Sequence, residues 1–156
     1  MDVYNKITKL KIELPDPPAC GGVYYQTKSF GESLCYVSGV GPNISGKRIY
    51  AGKVGSDYTL DQGCEAAVSA TLNMLSILQK NIGDLNRIKS FVKLLCYISS
   101  SNDFYMQPVV ANAASQLLID IFGEKAGKAT RSAIGLNVLP DNIPFEMEAL
   151  IELENN

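Results

Sequence analysis

The stretch IKSFVKLLCYIS, residues 88–99, is largely apolar on both of the faces that an extended chain presents. Successive side chains of a strand point to opposite faces, so residues at every second position share a face. One set contains Val92, Leu94, Cys96 and Ile98, and the other contains Phe91, Lys93, Leu95 and Tyr97. Two apolar faces are typical of a central strand that is covered from both sides. This stretch therefore predicts a sheet with a packing layer on each face.

Hydrophobic periodicity and turn residues predict the elements around this strand. Thr59 and Gln62 have the spacing of a capping box and start a helical pattern that continues to about Lys80. A second helix is predicted over about Phe104–Phe122, ending at Gly123. The other predicted elements are a short N-terminal helix before the proline-rich LPDPPA, an extended piece near Ile49–Val54, and strands at Val23–Phe30, Leu34–Val40, Thr130–Val138 and Ile143–Leu153. This order is typical of an α+β fold with two helices packed on one face of a mixed sheet.

The second face of the predicted sheet is too apolar to lie in water. In the last predicted strand, apolar residues alternate with Glu146 and Glu148, so one face of that strand belongs to the core. The opposite sheet face is expected to carry Tyr24, Phe91, Leu95 and Leu150 alongside its charged groups. Faces of this kind are usually buried by other subunits. The sequence therefore predicts an oligomer.

The composition limits the chemistry that is available. The chain has no histidine, which excludes Ser–His and Cys–His nucleophilic catalysis and His-ligated zinc. A net charge of −2 offers no electrostatic footprint for nucleic acid or an anionic membrane, so we expect neither as a partner. The four cysteines form no CxxC pair, and we expect reduced, mostly buried thiols, with a disulfide as the alternative. The first residues do not resemble an export signal, and we expect a cytoplasmic protein.

Charged residues in the last two predicted strands point to a site. Arg131 begins a strand of small residues, and Glu146 and Glu148 lie in the strand that follows. A buried charge is costly unless something pairs with it, so these residues form either a satisfied ion pair or a site that awaits a ligand. A guanidinium binds a carboxylate through two parallel hydrogen bonds, which makes a small organic acid the expected ligand. Ala133 and Gly135 share the strand face of Arg131 and leave room for it.

The C-terminal block RSAIGLNVLPDNIPFEMEALIEL, residues 131–153, resembles the signature of the YjgF/YER057c/UK114 family of RidA-type proteins. The segments GGVYYQ, CYVSGVGP and GDLNRIKSFVKLLCYI are similar to three further parts of the family pattern. The resemblance implies a chorismate-mutase-like fold, a single domain over residues 1–156 with residues 1–20 as an N-terminal extension, and a homotrimer with three clefts between subunits. It also implies hydrolysis of reactive enamines and imines, such as 2-aminoacrylate, to 2-keto acids and ammonia, without a metal or another cofactor.

The resemblance also assigns roles to individual residues. Arg131 is implied to anchor the carboxylate of an imino or keto acid. Glu146 is implied to position the attacking water or to help transfer protons around it. A structural ion pair is the alternative for each residue. Tyr24 is implied to line the cleft, with a core tyrosine as the alternative. Ser38 and Gly39 are implied to border the pocket, with a plain turn as the alternative. Glu148 is expected to be a structural or interface charge.

Two positions depart from the pattern of the deaminating members. Those members usually have a cysteine where this chain has Ala133, and they commonly have a charged residue where it has Gly135. The backbone of Ala133 stays available for substrate contact, but the pocket becomes wider and more apolar. Asn112 and Gln107 on the second predicted helix are further candidates for the pocket, with solvated polar groups as the alternative.

The departures keep a second function open. In this alternative, the trimer binds or senses a small carboxylate without turning it over. A third function often attached to the family is ribonuclease activity. The net charge of −2, the absence of histidine and the lack of aromatic residues interleaved with a basic patch argue against it.

Overall fold

The computed structural model describes residues 2–44 and 49–154, so the remaining residues of the predicted 1–156 domain lie outside the described ranges. The described chain forms a five-stranded sheet. Its helices are α1 (Val3–Lys9), α2 (Leu60–Ile82) and α3 (Gln107–Gly127), and its strands are β1 (Thr27–Phe30), β2 (Leu34–Val40), β3 (Ile88–Ser99), β4 (Thr130–Leu136) and β5 (Phe145–Leu153). Short 3₁₀ turns occupy Leu85–Arg87 and Pro140–Asn142. This arrangement confirms the predicted α+β fold.

The strand order is β1-β2-β5-β3-β4. Strand β3 lies between β5 and β4, as its two apolar faces predicted. It pairs with β4 in parallel through the crossover helix α3, whereas β1–β2, β2–β5 and β5–β3 are antiparallel. Helices α2 and α3 contact each other and pack on one face of the sheet. The core lies between this helical layer and the alternating face of β5.

The capping box at the start of α2 is confirmed. The Gln62 backbone N–H donates to Thr59 Oγ1 at 3.3 Å, and the Thr59 backbone N–H donates to Gln62 Oε1 at 2.9 Å. The two bonds satisfy donors that the first turn of a helix leaves without intrahelical partners. From there α2 runs for 23 residues and buries a face of small and large apolar side chains, including Ala67, Ala70 and Met74.

Helix α3 differs from its prediction at both ends. It begins at Gln107 rather than near Phe104, with Pro108 in its first turn, where a missing N–H costs no intrahelical bond. Gly123 does interrupt the helical geometry, with φ of 80°, but the chain resumes its turn and continues to Gly127. Gly123 therefore breaks the regular helical geometry as predicted, but the helix does not end at this residue.

The prediction for the open face of the sheet was partly wrong. An irregularity in the β3–β5 register between Phe91 and Lys93 moves Phe91 to the helix side, where its ring packs edge-on against Phe122 at 5.1 Å. Tyr24 precedes β1 instead of lying in it, because that strand starts at Thr27 rather than Val23. Leu95 and Leu150 are half-buried on the open face as expected. They are joined there by Tyr36, Tyr97 and Ile134.

Two further expectations can be compared with the structure. The extended piece near Ile49–Val54 is not a strand, since Val54 makes only isolated bridges to Tyr58 and Ser100. All four cysteines are free thiols, with Cys35 and Cys96 buried and Cys20 exposed. Among the described helices, none has the length and apolar character that a membrane crossing requires.

Candidate functional site

Four of the predicted site residues line one cavity of about 490 Å³, which we call the Glu146 cavity. They are Tyr24, Ser38, Gly39 and Glu146. The cavity lies where the open face of the sheet meets the segment before β1 and the loop after β2. A volume of this size falls in the range of small-molecule pockets.

A bulge in β2 shapes the floor of the Glu146 cavity. Val37 pairs with Ala149 and Val40 pairs with Met147, so three steps along β2 match two steps along β5. The extra residue falls within Ser38–Gly39, opposite Glu148 and diagonally next to Glu146. A Cβ on Gly39 would overlap the Glu146 carboxylate. The absence of a side chain at Gly39 is therefore what allows this carboxylate to lie against the strand.

Glu146 has an environment that favours the protonated form of its carboxyl. It is half-buried, on the face of β5 opposite to that of the core residues Phe145 and Met147. Burial raises the pKa of its carboxyl, and the nearby charge of Glu148 raises it further. A carboxyl with a raised pKa stays protonated closer to neutral pH, which suits general acid–base chemistry.

Glu148 accepts a hydrogen bond from a neighbouring tyrosine. The Tyr36 hydroxyl donates to Glu148 Oε2 at 2.6 Å, and this bond, with burial and the carboxylate charge, raises the pKa of Tyr36 to about 12. Burial and the two glutamates also raise the pKa of Tyr97, which pairs with Glu146 across β3 and β5. Glu148 therefore has a hydrogen-bond partner within the chain, while its expected role as a structural or interface charge stays a prediction.

Arg131 lies on the other side of the sheet from Glu146. Its register partner on β3 is Leu94, which is fully buried beneath the helices, whereas Glu146 pairs with Tyr97 on the open face. The expected alternative of an ion pair with Glu146 or Glu148 is therefore wrong. The ion pairs found between described residues are Lys89–Glu152 and Lys128–Glu124, and neither involves the Arg131 guanidinium.

Neutral acceptors on α3 hold Arg131 in place. Its Nη1 donates to Asn112 Oδ1 at 2.9 Å and to Ser115 Oγ at 3.0 Å, and its Nη2 donates to the Pro108 carbonyl at 3.3 Å. These partners orient the guanidinium but leave its charge without a carboxylate among the described residues. Arg131 lines a second cavity of about 620 Å³, which we call the Arg131 cavity.

Ala133 and Gly135 share the strand face of Arg131, as predicted, because their partners on β3 are the buried residues Cys96 and Ile98. Ala133 packs against the edge of the core. A Cβ on Gly135 would lie 2.7 Å from Gln107 Nε2, so the absence of a side chain at Gly135 leaves room for the Gln107 amide. Gln107 and Gly135 line a third cavity of about 360 Å³, near the carboxyl ends of β3 and β4.

Several residues that position the site were not predicted from the sequence. Pro108 and Ser115 hold Arg131 together with Asn112, and their spacing of four and three residues along α3 was the available signal. On the other side, the buried Asn73 of α2 donates to the carbonyls of Gly41 and Asn43 at 2.9 and 3.0 Å. Gly41 and Asn43 both line the Glu146 cavity. Nothing in the sequence near Asn73 indicated this long-range contact.

No metal centre accompanies these cavities in the part of the chain that the structure describes. Within residues 2–44 and 49–154, no three His, Cys, Asp or Glu side chains form a group that could hold a metal ion.

Comparison with known families gives a match over nearly the whole chain. Residues 5–151 match the family described as "YjgF/chorismate mutase-like, putative endoribonuclease". Protein TCP17 of Trypanosoma cruzi is 36% identical over 153 residues, which cover 98% of this chain and 95% of that protein.

Two solved structures are similar over almost their full lengths. A "putative endoribonuclease" from Shewanella oneidensis superposes with a TM-score of 0.92 at 31% identity, covering 98% of this chain and 100% of the other. The protein Atu1372 of unknown function from Agrobacterium tumefaciens superposes with a TM-score of 0.88 at 32% identity, covering 97% of this chain and 92% of the other.

Proposed function

Because the chain belongs to the YjgF/chorismate mutase-like family, we propose that it hydrolyses reactive enamine and imine intermediates, such as 2-aminoacrylate, to 2-keto acids and ammonia. The observation that carries the proposal is the presence of two unlike groups, an unneutralised cation and a half-buried acid. Arg131 is a positioned guanidinium without a carboxylate partner among the described residues. Glu146 is a half-buried carboxyl with a raised pKa in a small-molecule cavity.

In the proposed reaction, Arg131 binds the substrate carboxylate through two parallel hydrogen bonds. An enamine first takes a proton on its terminal carbon and becomes an imine. Water then adds to the imine carbon, a C–O bond forms, and one water proton passes to the nitrogen by way of Glu146. In the resulting carbinolamine, the hydroxyl proton passes to the amine nitrogen as the C–N bond breaks, which releases ammonia and leaves the keto group. Positioning and one proton shuttle are sufficient for these steps, so we expect no metal or other cofactor.

The placement of the two groups supports a site shared between copies of the chain. Arg131 and Glu146 are on opposite faces of one sheet, with β3 between their strands, so they cannot both touch one small acid within a single copy. We therefore propose that the Arg131 side of one subunit meets the Glu146 cavity of another. A homotrimer with three such clefts would also cover the apolar open face that contains Leu95, Leu150 and Ile134.

Ammonia release tests the proposal directly. Freshly generated 2-aminoacrylate loses ammonia spontaneously, and the purified protein should raise that rate in proportion to its concentration. Light scattering coupled to gel filtration should give a mass of three subunits in the same preparation. A rate that stays at the spontaneous value at all protein concentrations would contradict the enzymatic function.

A second candidate is a trimer that binds or senses a small carboxylate without turnover. It is favoured by Ala133 and Gly135, which leave the strand beyond Arg131 without large side chains. Calorimetry with pyruvate, 2-ketobutyrate and benzoate distinguishes the candidates, because this function predicts binding in a protein that does not accelerate ammonia release. If no Arg131-dependent binding occurs with any of these acids, both candidates fail.

The family description mentions endoribonuclease activity, but this chain offers little support for it. Its net charge is −2, and it has no histidine to serve as a general base. We do not propose that it cleaves RNA.

A further inference from the structure

The segment Pro18–Tyr24, which we call the wall segment, forms one side of the Glu146 cavity. Pro18, Ala19, Gly21 and Tyr24 all contribute to the lining. The segment belongs to no helix or strand, although it faces the floor formed by Ser38, Gly39 and Glu146. What fixes its distance from that floor determines the width of the cavity.

The backbone of this region does not hold itself in place. Within residues 13–25, all of which the structure describes, no backbone N–H donates to a backbone carbonyl. Pro15, Pro17 and Pro18 have no N–H to donate. The Cys20 thiol donates to the carbonyls of Tyr24 and Gly22 at 3.1 and 3.4 Å, but these contacts lie inside the wall segment. They shape the segment without fixing it to the sheet.

Gln26 provides the hydrogen bond that connects the wall segment to the sheet. Its side-chain Nε2 donates to the Pro18 carbonyl at 3.0 Å, in a partly buried position. Its backbone carbonyl accepts from the Ser38 N–H at 3.0 Å. One residue therefore bonds to the wall on one side and to the cavity floor on the other.

We propose that Gln26 is a positioning residue that sets the substrate affinity of the Glu146 cavity by holding the wall segment at a fixed distance from Glu146. The role in substrate binding rests on the proposed function. A wall that is ordered before the substrate arrives does not have to be ordered during binding, which favours affinity. Gln26 lines the same cavity as Glu146, but its hydrogen bonds go to Pro18 and Ser38 rather than to Glu146 or Arg131. We therefore expect the effect to fall on KM rather than on kcat.

Three variants test this role. Gln26→Glu keeps the size of the side chain but removes the amide donor, whereas Gln26→Lys keeps an N–H donor of similar reach. Gln79→Glu makes the matched change on α2, outside the lining of the Glu146 cavity. We expect Q26E to raise KM about five- to tenfold, the range of one lost hydrogen bond, with kcat within about twofold of the wild type. We expect Q26K to restore most of the affinity, and Q79E to match the wild type.

A second readout does not depend on activity. Tyr24 and Tyr25 are half or more exposed, and Cys20 is the exposed thiol of the segment. Released from Gln26, the wall segment should be cleaved faster by chymotrypsin after Tyr24 or Tyr25. Cys20 should also react faster with iodoacetamide, as located by mass spectrometry. Both rates should rise in Q26E and stay near the wild-type values in Q26K and Q79E.

The outcomes separate this proposal from the proposed function. If the wild type has no turnover, the enzymatic function fails, and the cleavage and labelling rates still decide whether Gln26 holds the wall segment. If Q26E and Q26K behave alike, or if Q26E leaves both rates at wild-type values, the positioning role is overturned. Should circular dichroism show that Q26E does not fold, Gln26→Met replaces it in the same comparison with Q26K.

Discussion

The Glu146 cavity and the Arg131 cavity are built in different ways. Backbone features make the first: a bulge at Ser38–Gly39, a missing side chain at Gly39, and a segment without regular structure. Side chains make the second, since Asn112 and Ser115 extend from one face of α3 to hold a guanidinium on the edge strand β4. The first can adjust the proton affinity of a carboxyl, and the second can present a fixed positive charge.

The difference shows how the two roles can be divided in this fold. A carboxyl acquires a raised pKa by being buried near another carboxylate, which requires that no cation lie close to it. An anion anchor requires the opposite, a cation with no acid beside it. Placing Glu146 and Arg131 on opposite sheet faces satisfies both conditions within one chain. The two groups then act together only if separate copies bring them to one ligand.

The largest expected effect comes from removing the cation. Arg131→Met deletes two charge-assisted hydrogen bonds to the carboxylate, and we expect keto-acid binding to weaken by about 3 kcal/mol, or roughly 150-fold. Titration calorimetry with 2-ketobutyrate measures this. Lys89→Met is the control, because Lys89 is an exposed cation whose ion pair with Glu152 lies away from both cavities. Equal binding by R131M and the wild type would show that the anchor lies elsewhere.

A smaller effect should follow from a change in the backbone that shapes the Glu146 cavity. Gly39→Ala places a Cβ where the Glu146 carboxylate lies, so the carboxylate must move. Because general acid–base groups contribute about 100-fold or more to rates, we expect kcat for ammonia release to fall at least about tenfold. Binding of 2-ketobutyrate should change less than kcat, because its main anchor in the proposed site is Arg131.

Gly21→Ala is the matched control for this change. Gly21 lines the same cavity, but a Cβ there would lie at an ordinary contact distance of 3.6 Å from the Tyr24 hydroxyl. If G21A loses as much activity as G39A, the loss reflects cavity filling rather than displacement of Glu146.

The sequence predicted these two regions unequally, for physical reasons. The periodicity of residues 88–99 and 145–153 and the Thr59–Gln62 capping box identified β3, β5 and the start of α2, because each signal is local. The bulges at Val37–Val40 and Phe91–Lys93 depend on pairing with another strand and left no local trace. For that reason Phe91 was assigned to the wrong face.

The relation between Arg131 and Glu146 was hidden for a similar reason. The small residues around Arg131 do not reveal which face of β4 is covered, and only its register against Leu94 decides this. The sequence therefore identified both residues as candidates but offered an ion pair that the sheet geometry forbids. The residues that hold Arg131 come from α3, and only the crossover between β3 and β4 brings them near it.

Removing a residue that orients Arg131 should weaken ligand binding less than removing the cation itself. Asn112→Ala removes one acceptor and leaves Ser115 and the Pro108 carbonyl to orient the guanidinium. We expect keto-acid affinity to fall about three- to tenfold, the range of one hydrogen bond. Gln116→Ala is the control, since Gln116 lines the same cavity but bonds to Asp120. If N112A binds as tightly as Q116A, Asn112 does not orient the anchor.

The smallest expected effect is on the pH dependence of stability, and it should come from the titration of Glu146. The folded-state pKa of Glu146 is raised, so between the unfolded and folded pKa values the folded chain holds a proton that the unfolded chain has lost. Stability therefore falls as pH rises through this interval, and the folded chain carries an unfavourable buried charge above it. Glu146→Gln has no such proton, so the thermal midpoint of the variant should rise relative to the wild type between pH 4 and pH 8. Gln79→Ala, which removes a neutral side chain outside the lining of the Glu146 cavity, should show a constant difference from the wild type. A difference between E146Q and the wild type that stays constant with pH would mean that Glu146 titrates as it does in water, and the contrast between the two cavities would lose its electrostatic basis.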